Sequence, residues 1–164
     1  MHNLDVKTLL DRMADKIAAR HLRNPLLIGI HTGGVWLANE LHKRLALEDP
    51  VNTIDITFYR DDYQKVGLQP NVKGSHLPSD MHNRDVILVD DVLFTGRTIR
   101  AAMNEIFDYA RPDSITLVVL VDRGGRELPI QADVTGEKIE LNADQHIKLS
   151  GPDELALQIT TAKT

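Results

Sequence analysis

The chain has 164 residues, the length of one ordinary domain able to bury a core without covalent staples. It has no cysteine, which excludes disulfide frameworks, thiolate zinc sites and cysteine nucleophiles. Lys and Arg number 19 against 24 Asp and Glu, and the formal charge of −5 argues against a protein built mainly to grip nucleic acid. No apolar run approaches the roughly 18–20 residues that span a membrane. The start, Met1-His2-Asn3-Leu4-Asp5, lacks the basic and then apolar pattern of a secretory signal, so a cytoplasmic protein with no membrane partner is expected.

Val6, Leu9, Leu10, Met13 and Ile17 recur at helical spacing, which predicts an amphipathic helix over 4–21. Residues 26–30, Leu-Leu-Ile-Gly-Ile, read as a buried strand running into a tight loop, His31-Thr32-Gly33-Gly34. Leu37, Ala38, Leu41 and Leu45 mark a second helix, and Ile54, Ile56 and Phe58 alternate as a strand does. Residues 60–83 are polar, lack a period and carry Gly67, Pro70, Gly74 and Pro78; a loop of that length in a compact fold is expected to be functional or mobile. Val86–Val89 is a further buried strand, a helix runs from Gly96 to about Tyr109, and residues 115–121 form another strand after Pro112. Ile147 and Leu149, then Leu155, Leu157 and Ile159, alternate around Gly151-Pro152-Asp153 and predict a hairpin outside the main sheet. Strands alternating with helices predict an α/β fold, a central, mainly parallel sheet with helices on both faces.

The chemistry concentrates in residues 86–98, VILVDDVLFTGRT. A buried strand ends in Asp90 and Asp91, then Val92, Leu93 and Phe94 lead to a turn of Thr95, Gly96, Arg97 and Thr98 that opens a helix. Ligands of open α/β sheets bind beyond the carboxyl ends of the strands. A helix N-terminus offers unpaired N–H groups and a positive dipole end to an anion, and a glycine there lets backbone approach it. The segment therefore suits a phosphate at the turn and sugar hydroxyls at the carboxylates. A mere strand end and helix cap would account for any one of these residues, but not for the whole run.

The run resembles the phosphoribosyl-pyrophosphate signature of the type I phosphoribosyltransferases. Residues 55–62 (DITFYRDD), Val72-Lys73-Gly74, Leu120-Val121-Asp122-Arg123-Gly124 and Arg126-Glu127-Leu128-Pro129-Ile130 occur in the order that is similar to the bifunctional pyrimidine operon regulators and uracil phosphoribosyltransferases. The resemblance covers residues 5–160. It implies one phosphoribosyltransferase domain over 1–164, with a small hood and the C-terminal β-hairpin added to the sheet. It implies an enzyme that forms UMP and diphosphate from uracil and phosphoribosyl pyrophosphate (PRPP). Asp90 and Asp91 would meet the ribose hydroxyls and the metal shell, Thr95, Gly96, Arg97 and Thr98 the 5′-phosphate, and Val92, Leu93 and Phe94 between them would also belong to the PRPP/UMP site. His31, Thr32, Gly33 and Gly34 would form the pyrophosphate loop, often with a cis non-proline peptide. Residues 60–75 would be the hood, with Arg60 a candidate clamp on the leaving group. Val121, Asp122, Arg123 and Ile130 would line the uracil pocket. Mg²⁺ would arrive with PRPP, UMP or UTP would bind as effectors, and the chain would assemble as a homodimer or higher homo-oligomer.

Two departures from the family pattern stand out. Where the family carries Thr-Arg-Gly this chain has Thr32-Gly33-Gly34, which removes a guanidinium from the pyrophosphate loop. Regulatory members bind messenger RNA on a basic dimer face. Here Gln131 and Glu137 stand at positions expected to be basic, and Gly125 where His is commoner. Arg12, Lys16, Arg20, His21, Arg23, Arg123 and Arg126 remain as a partial basic set. The rival reading is a UMP/UTP-sensing, RNA-binding attenuation regulator with weak or no transferase activity. The seven histidines show no metal-binding spacing, and only His31 falls in an expected ligand loop.

Overall fold

The computed structural model describes residues 4–56 and 75–163. Phe58, Arg60, Lys73 and most of the expected hood lie outside them. The elements are α1 (Val6–Ala18), β1 (Leu26–Ile30), α2 (Gly33–Leu45), β2 (Asn52–Ile54), β3 (Asp85–Leu93), α3 (Arg97–Tyr109), β4 (Ser114–Asp122), β5 (Val134–Lys138), β6 (Gln145–Ser150) and β7 (Ala156–Thr161).

Five strands form one parallel sheet in the order β2-β1-β3-β4-β5. Parallel strands need crossovers, and the helices that supply them cover both faces. Side chains alternate across the sheet. Leu27, Ile87, Val89, Val118 and Leu120 pack beneath α1 and α2, whose buried stripes include Leu9, Met13, Leu37 and Leu41. Leu26, Ile28, Val86, Leu88, Leu117 and Val119 face α3 through Ile99, Ala102 and Ile106. Strands buried on both faces read as continuous apolar runs, as 26–30 and 115–121 do. β6 and β7 pair antiparallel as a separate two-stranded sheet. Leu149 and Leu157 of this hairpin join the α1/α2 core, and Trp36 of α2 packs against it.

Three boundaries depart from the sequence reading. α1 is shorter than 4–21, because the Asp5 side chain accepts the Lys7 N–H and caps the helix there, and His21 takes a φ of 50° just beyond its end. β2 ends at Ile54, before Ile56 of the expected strand, whose Phe58 lies outside the described residues. β5, with the sequence VTGEK, has no apolar run to announce it. Pairing with β4, from Val118↔Val134 to Asp122↔Lys138, makes it a strand.

The amino end of β3 is tied down by charge. Asp85 accepts hydrogen bonds from the Arg23 N–H and the Ser114 hydroxyl, which hold its carboxyl below the ordinary carboxylate range. A carboxyl lowered on folding stabilises the fold above its unfolded pKa, and the contribution disappears as pH falls through the folded one. Asp85→Asn should therefore lower stability at neutral pH, and urea unfolding should show the gap from wild type closing as pH drops below about 4.

Candidate active site

The strand order places β1 beside β3 while their connections leave in opposite directions, through α2 to β2 and through α3 to β4. That reversal opens a crevice at the carboxyl ends of the two strands, the usual ligand position in such sheets. The loop after β1 supplies one wall. His31 donates its N–H to the Ile54 carbonyl at 3.0 Å, and the His31–Thr32 peptide is cis. α2 then begins in contact with the end of β3. A Cβ on Gly33 would lie 2.5 Å from Asp91 Oδ2, and one on Gly34 would overlap the Val89 carbonyl oxygen.

The end of β3 supplies the carboxylates. Asp90 is buried at 6% exposure, and its Oδ1 accepts the Asp91 N–H at 2.9 Å. Asp91 Oδ1 in turn accepts the Val92 N–H at 2.8 Å. Each side chain is therefore oriented by the next residue's backbone, with Asp91 Oδ2 at the α2 terminus.

Beyond them the chain turns into α3. Gly96 takes a φ of 92°, a conformation that strains an L residue, and its Cα side faces Ile130 and Leu128. Thr32 before α2 and Gly96 before α3 make no side-chain capping bond, although the Thr95 hydroxyl accepts the Arg97 N–H at 3.2 Å, whereas Asp5 caps α1 away from the crevice. The remaining N-terminal N–H groups at the crevice are suited to anions, and two helices present them there.

The third wall is the end of β4. Arg126 bonds to three elements at once: Nη2 to Asp122 Oδ2 at 2.6 Å, Nη1 to the Phe94 carbonyl at 2.8 Å and Nε to the Ile130 carbonyl at 2.8 Å. Glu127 and Leu128 donate their N–H groups to the Thr95 carbonyl, and the Glu127 carboxylate accepts from Arg97 Nε at 3.1 Å. Residues 126–130 thus hold the Thr95–Thr98 turn in place. Burial pushes the Asp122 carboxyl up, but the Arg126 bond, the Gly124 N–H and the charges of Arg126 and Lys138 outweigh it and hold it below the ordinary range. A cleft of about 640 Å³ opens here, lined by Asp122, Arg123, Gly124, Gly125, Arg126 and Lys138 among others.

Residues 4–153 match the family model described as the phosphoribosyl transferase domain. The protein named Bifunctional protein PyrR from Nitrosococcus oceani is 48% identical over 161 residues, 96% of this chain and 91% of the relative. A protein of the same name from Pseudomonas paraeruginosa is 51% identical over 154 residues, 92% of this chain and 91% of its own. The chain belongs to the phosphoribosyltransferase family. Within it, the chain groups with the PyrR proteins. A solved hypoxanthine phosphoribosyltransferase from Staphylococcus aureus shares the fold, with a TM-score of 0.68 at 21% identity over 85% of this chain and 77% of its own.

On this phosphoribosyltransferase frame, the sequence-derived site residues fall on three adjacent strand ends. His31 to Gly34 follow β1, Asp90 to Thr98 run from β3 into α3, and Asp122 and Arg123 end and follow β4. The Val121 and Leu93 side chains sit in the core, 0% and 1% exposed, and Val92 packs against the core as well. Ile130 packs over Gly96, beside the Thr95–Thr98 turn. Arg60 lies outside the described residues. The bonding of Arg126 and the stacking of Phe94 with Arg123 were not legible in sequence, since both join segments that fold from opposite sides of α3. Among the described residues no cluster of three metal-binding side chains occurs, and no helix is long and apolar enough to cross a membrane.

Arg126→Ala should cost about 2–3 kcal/mol of stability in denaturant unfolding, since charge-assisted bonds are worth roughly 1.5–3 kcal/mol each and are not additive. Amide exchange should speed selectively in residues 94–98 and 123–130.

Proposed function

We propose that this chain transfers ribose 5-phosphate from PRPP to uracil, forming UMP and diphosphate. The observation that carries the reading is the placement of Asp90 and Asp91 between two helix N-termini, those of α2 and α3. A ligand that fits needs hydroxyls in the middle and an anion at each end, and PRPP has both.

In this reading the α3 terminus, with Thr95, Gly96, Arg97 and Thr98, holds the 5′-phosphate. Asp90 and Asp91 accept the ribose hydroxyls. His31 to Gly34 and the α2 terminus take the diphosphate. N1 of uracil, losing its proton, bonds to C1′ as the C1′–O bond breaks and diphosphate leaves with the electron pair. Cationic charge grows on the ribose ring, and the two fixed carboxylates lie on its side of the crevice. Catalysis is then chiefly positioning and electrostatics, with no strong general base required. Gly33, which replaces the family's arginine, removes one cation from the leaving-group loop and gives Asp91 its place at the α2 terminus.

The donor set suits Mg²⁺ carried by the substrate. Asp90 and Asp91 are hard oxygen donors too few to cage the ion alone, and diphosphate oxygens and water complete its shell. When bound, the ion neutralises charge on the departing diphosphate. The exposed Phe107 and Tyr109 of α3 and Ile159 of β7 offer apolar surface to a second copy in the expected homo-oligomer.

The RNA-binding reading is disfavoured by where the basic residues go. Arg12 pairs with Glu137 at 3.6 Å and Arg20 with Asp133 at 3.7 Å, so β5 and the residue before it supply acids to the face of α1. Arg126 is committed to Asp122 and two carbonyls. Acids beside these arginines compete with phosphate for them, which lowers the salt-dependent part of RNA affinity.

UMP formation from uracil and PRPP with Mg²⁺ tests the reading. The Asp90→Asn/Asp91→Asn double variant should lose at least about a hundredfold in kcat/KM, given two charge-assisted hydrogen bonds; an equally active double variant would defeat the assignment. RNA retention on filters should fade between about 50 and 200 mM salt. Glu137→Lys should strengthen it and steepen its salt slope.

A further inference from the structure

The first turn of α2 rests on two strands. A Cβ on Gly29 of β1 would lie 2.7 Å from Val35 Cα, and one on Gly34 would overlap the Val89 carbonyl oxygen of β3. The turn's own bonds are weak. Thr32 gives the helix no side-chain cap, and its carbonyl accepts the Val35 and Trp36 N–H groups at 3.2 and 3.4 Å, long for N–H···O. The place of this turn therefore depends on what packs against it.

A further contact comes from the far end of the chain. Trp36 is half-buried against the α1/α2 core, and its ring meets the turn of the β6–β7 hairpin. A Cβ on Gly151 would lie 2.9 Å from Trp36 Cε3 and 2.6 Å from Leu155 Cδ2, so a larger residue there would push on both. Leu149 and Leu157 anchor the two strands of the hairpin in the core, which fixes the turn between them. A cleft of about 400 Å³, lined by Val6, Leu10, Glu40, Arg44 and Leu155 among others, separates the turn from α1 and the later part of α2. The hairpin thus bears on α2 at its first turn, through a ring two residues past Gly34.

We infer that Trp36 is a positioning residue for the diphosphate subsite, with the hairpin turn at Gly151 as its backstop. The ring closes the side of the α2 first turn that the strands leave open, and so fixes the N–H groups of Gly33 and Gly34 beside Asp91. The brace is static: it holds the helix terminus in its receiving position before ligand arrives, which spares the complex the entropy of ordering it. With Gly33 in place of the family's arginine, the start of α2 offers backbone N–H groups rather than a flexible cation, and backbone donors bind only as well as their helix is placed. The inference rests on the transfer reading in taking the loop after β1 to receive the diphosphate.

The test is calorimetric titration of diphosphate with Mg²⁺, and of ribose 5-phosphate, into wild type, Trp36→Ala, Trp36→Phe and Gly151→Ala. Trp36→Ala should weaken diphosphate about tenfold, short of the roughly hundredfold that an ångström of misplacement can cost, while ribose 5-phosphate binds as in wild type and shows that the variant is folded. Trp36→Phe should restore most of the loss. Gly151→Ala, remote from the ligand in sequence, should weaken diphosphate by displacing the ring. Amide exchange at Val35 should speed in Trp36→Ala. Unchanged diphosphate affinity in Trp36→Ala or Gly151→Ala, an equal loss of both ligands, or no rescue by Trp36→Phe would overturn the inference. A wild type that makes UMP while Trp36→Ala binds diphosphate normally would defeat this inference alone. Diphosphate binding that depends on Trp36, in a chain that makes no UMP, would defeat the transfer reading alone.

Discussion

The site depends on one close approach: the first turn of α2 against the carboxyl end of β3. The positions of Cβ atoms at 33 and 34 are filled by Asp91 and by the Val89 carbonyl, so only glycines let helix and strand meet there. That approach brings a helix N-terminus to a pair of carboxylates. It leaves negative side chains beside a positive dipole end, and the N-cap residues Thr32 and Gly96 make no side-chain capping bond, whereas Asp5 caps α1. Helix termini that face the crevice with few N–H groups taken by side chains suit anions.

The rest of the architecture serves that approach. The parallel sheet, buried on both faces, gives the strand ends fixed positions, and the order β2-β1-β3-β4-β5 sets the reversal between β1 and β3. Residues 126–130 then work as a strap. Through Arg126, Glu127 and Leu128 they bind the Thr95–Thr98 turn to the end of β4, so the two sides of the crevice share one set of hydrogen bonds.

What sequence made legible follows from which residues need only local physics. β1 and the core of β4 announce themselves because continuous apolar runs have no other use in a fold with this pattern. The strand–carboxylate–turn–helix run around Asp90 is legible because its roles are adjacent in the chain. β5 is not, since Thr135, Gly136, Glu137 and Lys138 carry little strand signal and the strand exists through its pairing with β4. Nor are the ion pairs that absorb Arg12 and Arg20, whose partners, Glu137 and Asp133, lie at the far end of the chain. In sequence these arginines read as a basic face. In the fold, acids of β5 and of the segment leading into it stand beside them and pair with two of them.

The proposed ligand site is the β1/β3 reversal with its two helix N-termini. Backbone amide chemical shifts recorded during titration of PRPP with Mg²⁺ test it most directly. The large shifts should fall on residues 31–35 and 90–99, with smaller ones at 122–130 and none along α1 or the β6–β7 hairpin. Shifts concentrated on the groove between α1 and β5, with residues 31–35 and 90–99 unmoved, would contradict it.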